Sequence, residues 1–353
     1  MVEYKLIISF DGGGMRGLVT LYLLDYLEKE FGVDITLKAH LMGGTSTGGI
    51  IALSKIQRLS NQEIKDCYLN VGKTVMKFSC DNIVEAQTLA NTQLYEQELA
   101  LKFKNTKMLE LGDYRKQRAL VVCGSKPTGS FNKFDVTLLC NYPTISDKRK
   151  YLPKDRPIDV TVVDAIRCTS GIPLIFGPIK CIANMDVVDG GVLHNNPVNV
   201  CINEAISEWK SDNVEYIVIS LGTGRAEKYK SPVLEQLKKS TVRSLKGSSQ
   251  IGVSNSSEQL TLGVQVIDQL LEGTSGAHSE YLKFVDTVSK QSTFTIHPFR
   301  LDPQLQKSYF LADASDETIK AMKTDTDNYL TNPTTIETIS KLKLLLHQSG
   351  FIP

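Results

Sequence analysis

Apolar positions at the start of the chain change between two spacings. Residues 4–10, YKLIISF, form a largely apolar run that predicts a buried strand, and a short strand end is expected over 39–42. Between them, Leu18, Leu21, Leu24, Leu27 and Phe31 recur at helical spacing, and IIAL begins a second apolar helix. The glycine-rich segments DGGGMRG and GGTSTGG each follow a strand and precede a helix. This order predicts an α/β fold with a mostly parallel sheet and covering helices.

Further elements follow along the chain. RALVVCGS and FDVTLLCNY are β-rich runs joined by a Pro-Gly turn, MDVVDGG and EYIVISLGTG are strands that end in glycines, and VTVVDAIRCTSGIP is typical of a helix. Ser60 with Glu63, and Thr334 with Glu337, have the spacing of capping boxes. Gly350 suits the end of the last helix.

No linker or repeat divides the chain. We expect one domain, with an α/β core over residues 1–225 and a mainly helical C-terminal part over 226–353. The hydrophobic fraction of 41% and the charged fraction of 22% are ordinary for a globular protein. A net charge of +1 gives no general attraction to nucleic acid, so no nucleic-acid partner is expected.

Cysteine spacing and the apolar runs bear on the compartment. The seven cysteines form no CxxC pair, which argues against a disulfide framework and favours a reducing compartment. The N-terminus lacks the features of a signal peptide, and no apolar run reaches the ~18 residues that a spanning helix needs. The expected location is cytoplasmic, with peripheral contact to membranes left open. The sequence does not predict the oligomeric state.

The segment from Gly44 to Gly48, GTSTG, matches the G-x-S-x-G pattern of a nucleophile elbow. In that turn between strand and helix, Ser46 stands exposed at the tip, and the helix start favours developing negative charge. A phosphate-binding loop is the main alternative, but no lysine follows the last glycines. DGGGMRG does not match the dinucleotide fingerprint cleanly either, so nucleotide binding is disfavoured.

Two other glycine clusters offer the remaining parts of an ester-hydrolysing site. Gly12, Gly13 and Gly14 can turn several backbone N–H groups toward one anion, and Arg16 adds a positive charge nearby. Asp189 ends an apolar strand, where its carboxylate is placed to orient or deprotonate a serine. Taken alone, a tight turn explains each cluster as well.

A histidine for a Ser-His-Asp triad is poorly supported. His194 is the only serious candidate, because it lies close to Asp189, whereas the order expected of an α/β-hydrolase places the histidine near the C-terminus. The other four histidines fit structural or surface positions better: His40, His278, His297 and His347. A serine–aspartate pair is therefore the stronger prediction.

Together, DGGGMRG, GTSTGG and DGG followed by NNP resemble the patatin-like phospholipase family. AIRCTSGIPLIF is similar to that family's AxRATSAAPxYF segment, and SLGTGR and the tail FRLDP…LADAS…IKAM also fit. The resemblance covers nearly the whole chain. It implies a three-layer sandwich with a helical C-terminal extension.

The resemblance also implies roles for single residues. Ser46 would be the nucleophile and Asp189 its general base, in a dyad that forms an acyl-enzyme. The amides of Gly12, Gly13 and Gly14, with Arg16 nearby, would hold the oxyanion, and Gly44 and Gly48 would shape the elbow. Gly190, Gly191 and His194 would support the site, although His194 stands where the family often has alanine. No metal or cofactor is implied.

The implied activity is calcium-independent hydrolysis of fatty-acyl esters of phospholipids. A lysophospholipase, a galactolipase and a triacylglycerol lipase remain alternatives with the same dyad, as does a non-catalytic lipid-binding regulator. The basic run from Arg225 to Lys246 is able to attract anionic head groups, but a solvated helix face explains it better. The amphipathic run 258–271 fits a core helix better than an interfacial one.

Overall fold

A computed structural model describes most of the chain. The described residues are 2–75, 90–127, 134–143, 160–172, 175–176, 180–182, 184–209, 211, 213–225, 276–290 and 294–353. The predicted basic run beyond residue 225 and the amphipathic run 258–271 lie outside these residues.

Strands and helices alternate in the first half of the fold, as the spacing of apolar residues predicts. Their bounds are β1 Glu3–Phe10, α1 Gly17–Phe31, β2 Leu41–Thr45, α2 Thr47–Ile56, α3 Asn61–Thr74, α4 Thr92–Phe103, β3 Arg118–Pro127 and β4 Asp135–Cys140. The later elements are α5 Val162–Thr169, β5 Lys180–Ile182, β6 Met185–Asp189, α6 Val198–Trp209, β7 Val214–Leu221, α7 over 276–290, β8 Thr295–Leu301, α8 Asp316–Leu330 and α9 Pro333–Gln348.

The described strands form one mixed sheet. Their order is β5-β6-β3-β2-β1-β7-β8, and β4 pairs with β3 outside this path. The pairs β3–β2, β2–β1, β1–β7 and β7–β8 are parallel, whereas β4 and β6 run antiparallel to β3. The centre of the sheet is therefore parallel, as expected.

Alternate residues of β1 face two separate apolar clusters. Leu6, Ile8 and Phe10 belong to the cluster that also contains residues of α1, α2, α5, α8 and α9. Ile7 belongs to a second cluster with residues of α6 and α7. Apolar burial on both faces is the pattern of a covered parallel sheet, and it confirms the three-layer sandwich.

Helix starts agree with the sequence in one case and differ in two. Ser60 and Glu63 make both hydrogen bonds of the predicted capping box. The helix after the serine turn begins at Thr47, three residues before IIAL, so it includes two of the glycines. The box predicted at Thr334 is wrong, because Asn332 caps α9 by accepting a hydrogen bond from the Thr334 N–H. Proline directly after Asn332 suits the first helical turn.

The C-terminal part completes the sheet as well as adding helices. Its strand β8 lies parallel to β7 along seven register pairs, from Glu215–Thr295 to Leu221–Leu301. Among the described residues, no helix is both long and apolar enough to cross a bilayer.

Candidate active site

The carboxyl ends of β2 and β6 meet on one edge of β3. Thr45 at the end of β2 pairs with Val122, and Asp189 at the end of β6 pairs with the next residue, Cys123. Because residues 123–125 also pair with β4, which needs the other edge of β3, β6 must continue along the edge where β2 stops. Two strands of opposite direction thus abut, and this brings Ser46 and Asp189 together.

Ser46 occupies a strained turn between β2 and α2. Its φ of 54° lies in the left-handed region, which non-glycine residues rarely adopt and which costs of order 1–3 kcal/mol. A Cβ on Gly44 would lie 2.1 Å from the Gly48 carbonyl carbon, and one on Gly48 would lie 2.2 Å from the Phe10 oxygen. The two glycines let the chain fold back tightly enough to hold this conformation, which is the geometry of a nucleophile elbow.

Thr169 fixes the backbone of the same turn. The Ser46 N–H donates to Thr169 Oγ1 at 2.9 Å, and the Thr169 hydroxyl donates to the Val122 carbonyl at 2.6 Å. Thr169 is the last residue of α5, so the helix end ties the serine turn to β3. The sequence predicted a helix and a family resemblance for this segment, but no role for Thr169.

The Asp189 carboxyl is buried, and one of its two oxygens accepts a hydrogen bond. Oδ1 accepts the Gly191 N–H at 2.8 Å, whereas Oδ2 accepts no hydrogen bond of normal geometry from the described residues. Burial raises the pKa of Asp189 to about 7, and the Ser46 hydroxyl and the Gly191 amide oppose that rise. Gly190 allows the turn after Asp189, because a Cβ there would lie 2.2 Å from the Val122 oxygen. A free oxygen therefore remains available beside Ser46.

The glycine loop lies directly against the serine. A Cβ on Gly12 would lie 3.3 Å from the Ser46 Cβ. The Gly12 N–H is engaged, since it donates to the Asn195 carbonyl at 3.0 Å. Within the part of the chain that is described, the Gly13 and Gly14 N–H groups donate to no acceptor. Two of the three glycine amides are therefore free to bind an anion.

Arg16 and His194 lie differently from the three glycines. The Arg16 side chain is buried and donates to the Gly224 carbonyl at 3.4 Å, and it does not line the pocket at Ser46. Burial lowers the pKa of Arg16 to about 10. The His194 Nδ1 lies 3.9 Å from Glu280 Oε1, and the His194 carbonyl accepts the Thr45 hydroxyl at 2.7 Å. Burial lowers the pKa of His194.

An apolar pocket opens at Ser46. It encloses about 930 Å³, its open mouth included. Most of its walls come from α2, α3, α4 and the segment after α5, and they include Met15, Ile50, Tyr68, Leu99, Ile172 and Phe176. Glu98 and Lys102 also line it. A mainly apolar wall beside a strained serine is suited to a hydrocarbon chain whose reactive end reaches the turn.

A buried charge cluster next to the glycine loop was missed by sequence reasoning. Arg300 in β8 makes hydrogen bonds with both carboxyl oxygens of Asp11, at 2.9 and 2.6 Å, and with Asp302 at 2.8 Å. The signal lay in FRLDP, which fitted the resemblance without a role for its charges. Asp11 and Arg300 are 289 positions apart, so only the fold joins them.

Comparison with known proteins relates the chain to a lipase family. The family model for patatin-like phospholipases matches residues 8–202, which include Ser46, Asp189 and the glycine loop. The chain is similar to the 85/88 kDa calcium-independent phospholipase A2 of Mus musculus, with 26% identity over 92% of this chain and 38% of that protein. It is also similar to an intracellular phospholipase A2 of Caenorhabditis elegans, with 26% identity over 92% of this chain and 28% of that protein.

A plant relative matches over a shorter stretch. Patatin-like protein 2 of Arabidopsis thaliana is 29% identical over 62% of this chain and 59% of that protein. The chain thus spans less than two thirds of the length of each of these relatives.

Proposed function

The chain belongs to the patatin-like phospholipase family, and we propose that it hydrolyses fatty-acyl esters of phospholipids through an acyl-enzyme formed on Ser46. The observation that carries this proposal is the free Oδ2 of buried Asp189 beside the strained serine at an apolar pocket. The family and the relatives named phospholipase A2 support a lipid acyl hydrolase. We infer the residues and the steps of the reaction from the geometry of the site.

In the first step, the Ser46 oxygen attacks the ester carbonyl and Asp189 Oδ2 takes the hydroxyl proton. A pKa of about 7 makes this carboxylate a stronger base than an ordinary aspartate, while leaving it largely ionised in mildly alkaline solution. The Gly13 and Gly14 amides bind the oxyanion of the tetrahedral intermediate. Each such donor typically contributes about 3–4 kcal/mol of transition-state stabilisation.

The intermediate then collapses. The bond between the carbonyl carbon and the alcohol oxygen breaks, and the departing lysolipid takes the proton from Asp189. In the second half of the reaction, Asp189 accepts a proton from water, whose oxygen attacks the acyl-enzyme. The fatty acid leaves and the proton returns to Ser46, so the cycle closes without a metal or cofactor in either half.

The apolar pocket is the reason for proposing a lipid substrate. Burying an acyl chain against apolar walls is favourable by about 0.8 kcal/mol for each methylene removed from water. Because the acyl chain must leave a bilayer or micelle to enter the pocket, we propose that the protein makes peripheral contact with a lipid surface during turnover. The name of the nematode relative, an intracellular phospholipase, supports a location inside the cell.

Release of fatty acid from phosphatidylcholine vesicles, with EDTA present, tests the proposal. Wild type is expected to release fatty acid, and Ser46→Ala and Asp189→Asn to lose at least about a thousandfold in kcat while staying folded. Asp135→Asn, at an exposed position in β4, is the control. Full activity of Ser46→Ala would refute the dyad, and loss of activity in EDTA would refute calcium independence.

A serine-directed alkyl phosphonate separates the dyad from the substrate. If wild type releases no fatty acid from the vesicles but is labelled at Ser46, the dyad holds and the substrate is another acyl lipid. Monoacyl phospholipid, galactolipid and triacylglycerol should then be assayed in parallel. If wild type is neither active on any of these nor labelled, a lipid-binding regulatory role replaces the enzymatic one.

A further inference from the structure

Among the described residues near the glycine loop, Arg300 is the buried cation with the most hydrogen bonds. Its two terminal nitrogens make four hydrogen bonds: two with Asp11, one with Asp302 and one with the Ser220 hydroxyl, the last at 2.8 Å. The side chain is 6% exposed and lies 5.8 Å from the Tyr281 ring. A planar guanidinium suits this set of acceptors, because its donors are fixed in a fork.

The register of the sheet explains how Arg300 reaches Asp11. Arg300 in β8 is paired with Ser220 in β7, and Ser220 is paired with Ser9 in β1. The side chain therefore crosses the carboxyl end of β7 to reach the residue that directly follows β1. A residue of the C-terminal part thus binds the first residue of the DGGG segment.

The glycine loop is held at several points along its length. Besides the N–H bond to Asn195, the Gly12 carbonyl accepts hydrogen bonds from Asn195 Nδ2 at 3.2 Å and from the Thr223 hydroxyl at 2.8 Å. The Met15 N–H donates to the Leu311 carbonyl at 2.7 Å. With Asp11 held by Arg300, both ends of the loop are fixed, and the two free amides lie between them.

Arg300 bonds both carboxylates at this point, whereas the Arg225 Nε lies 3.8 Å from Asp302 Oδ2. Asp11 and Asp302 are both buried, and without a cation between them two carboxylates would repel each other away from water. Burial raises the pKa of Asp11 to about 6, against the opposing effect of Arg300. Arg16 interacts electrostatically with both carboxylates, but its guanidinium makes no ion pair with either. Loss of Arg300 would therefore release or protonate the residue that begins the loop.

We propose that Arg300 is a positioning residue for the reaction. It acts through Asp11 to hold the Gly13 and Gly14 amides in place beside Ser46. This inference rests on the proposed function, because it assigns those amides to the oxyanion. Arg300 touches neither Ser46 nor the pocket, so its effect is on transition-state geometry rather than on lipid binding. Small misplacement of catalytic groups is able to cost about a hundredfold in rate.

The test compares Arg300→Lys with Arg118→Lys. Lysine keeps the charge but offers a single nitrogen, so it cannot make the paired bonds to Asp11 and also reach Asp302 and Ser220. Arg118 is also a partly buried strand arginine, and it lies 2.7 Å from the carboxylate of Glu208. It stands at the amino ends of the parallel strands, away from the carboxyl ends where Ser46 lies. We expect Arg300→Lys to lower kcat about 10- to 100-fold with KM within about twofold, and Arg118→Lys to leave both unchanged.

The rate of Ser46 labelling by the alkyl phosphonate is the second measurement. The phosphoryl oxygen of that reagent needs the same amides, so labelling of Arg300→Lys should slow by a similar factor. If Arg300→Lys fails to fold, Asp11→Asn removes the same ion pair from the loop side and should give the same split between kcat and KM. An unchanged kcat and labelling rate in a folded variant would overturn the inference, as would a rise in KM alone.

These outcomes separate the inference from the proposed function. If wild type hydrolyses phospholipid and Arg300→Lys is equally fast, the proposed function stands and the positioning role is rejected. If wild type does not hydrolyse phospholipid but is labelled faster than Arg300→Lys, the proposed substrate is rejected and the positioning role stands. Absence of both hydrolysis and labelling in wild type rejects both.

Discussion

Asp189 and Ser46 meet because their strands end head to head on one edge of β3. The residue before Ser46 pairs with Val122 and Asp189 pairs with the adjacent Cys123. Asp189 Oδ2 accepts no hydrogen bond of normal geometry among the described residues, and the Ser46 hydroxyl is close enough to lower the pKa of Asp189. His194 lies on the neighbouring loop, where its Nδ1 is 3.9 Å from Glu280 Oε1. This favours a dyad over a triad.

The proposed dyad predicts how activity depends on pH. Asp189 must be ionised to accept a proton, and burial raises its pKa to about 7. We expect kcat/KM to rise about tenfold for each pH unit below 7 and to level off above it. Burial also raises the pKa of Glu280 to about 7, so Glu280→Gln is the control and should keep the inflection. A rate independent of pH between 5 and 8 would contradict the assignment of Asp189 as base.

Stability should change with pH in the opposite sense. Asp189 has its pKa raised on folding, so between its ordinary pKa of 3.8 and about 7 the unfolded chain is ionised while the folded one keeps the proton. Stability from this group is present at low pH and is lost as pH rises to about 7. Asp189→Asn should therefore gain about 2–3 kcal/mol relative to wild type between pH 5 and pH 8.

Urea unfolding of both proteins at the two pH values measures this difference. Asp135→Asn, exposed on β4, corrects for the general effect of removing a carboxylate. A difference between Asp189→Asn and wild type that stays constant with pH would show that Asp189 carries no raised pKa in the folded protein.

The parts of the site that follow local rules are the parts that sequence predicts. The spacing of Gly44, Ser46 and Gly48 indicates the elbow, because steric limits on a tight turn act between near neighbours. The family resemblance supplied the pairing with Asp189. The antiparallel run of β6 along the same edge as β2 was not predicted, since register depends on which strands abut in the finished sheet.

Distant contacts account for the remaining differences. The engagement of the Gly12 N–H by Asn195 and the bond between Arg300 and Asp11 join segments more than 180 positions apart. Nothing in the local pattern of DGGGMRG distinguishes an amide that is free from one that is bound. The same holds for Arg16, whose direction is set by burial against Gly224.

Thr169 should matter for the serine turn. Thr169→Val removes the acceptor of the Ser46 N–H and also the hydroxyl that donates to the Val122 carbonyl. We expect kcat to fall about tenfold, because the strained turn loses the bond that orients its backbone. Thr326→Val in α8 also removes a buried hydroxyl, bonded to the Met322 carbonyl, and serves as the control. Equal kcat in both variants would show that Thr169 is dispensable for positioning.

Gly48 should not tolerate a methyl group. In Gly48→Ala the new Cβ would lie 2.2 Å from the Phe10 oxygen, so either β1 or the start of α2 has to move. We expect destabilisation of about 1–3 kcal/mol together with loss of activity, read by thermal unfolding and ester hydrolysis. Gly276→Ala, where no described residue lies within 4 Å of the new Cβ, is the matched control and should leave both unchanged. A stable and active Gly48→Ala would mean that the turn relaxes freely.

The pocket predicts a dependence on chain length. Ser54 lines the pocket eight residues beyond Ser46, which is about 12 Å along α2 at 1.5 Å per residue. Ser54→Phe should fill the space away from Ser46, the proposed nucleophile, so long acyl chains lose their binding site while short ones still fit. We expect kcat/KM for a palmitoyl ester to fall about tenfold or more relative to a butyryl ester, because several methylenes stay in water at about 0.8 kcal/mol each.

Ser340→Phe controls for the added ring, because Ser340 lies exposed on α9, away from the pocket. Its ratio of palmitoyl to butyryl hydrolysis should match wild type. If Ser54→Phe lowers both rates equally, the substitution has disturbed the serine turn, and if it lowers neither, the acyl chain takes another path. Only a selective loss of the long chain assigns the pocket along α2 to the fatty-acyl group.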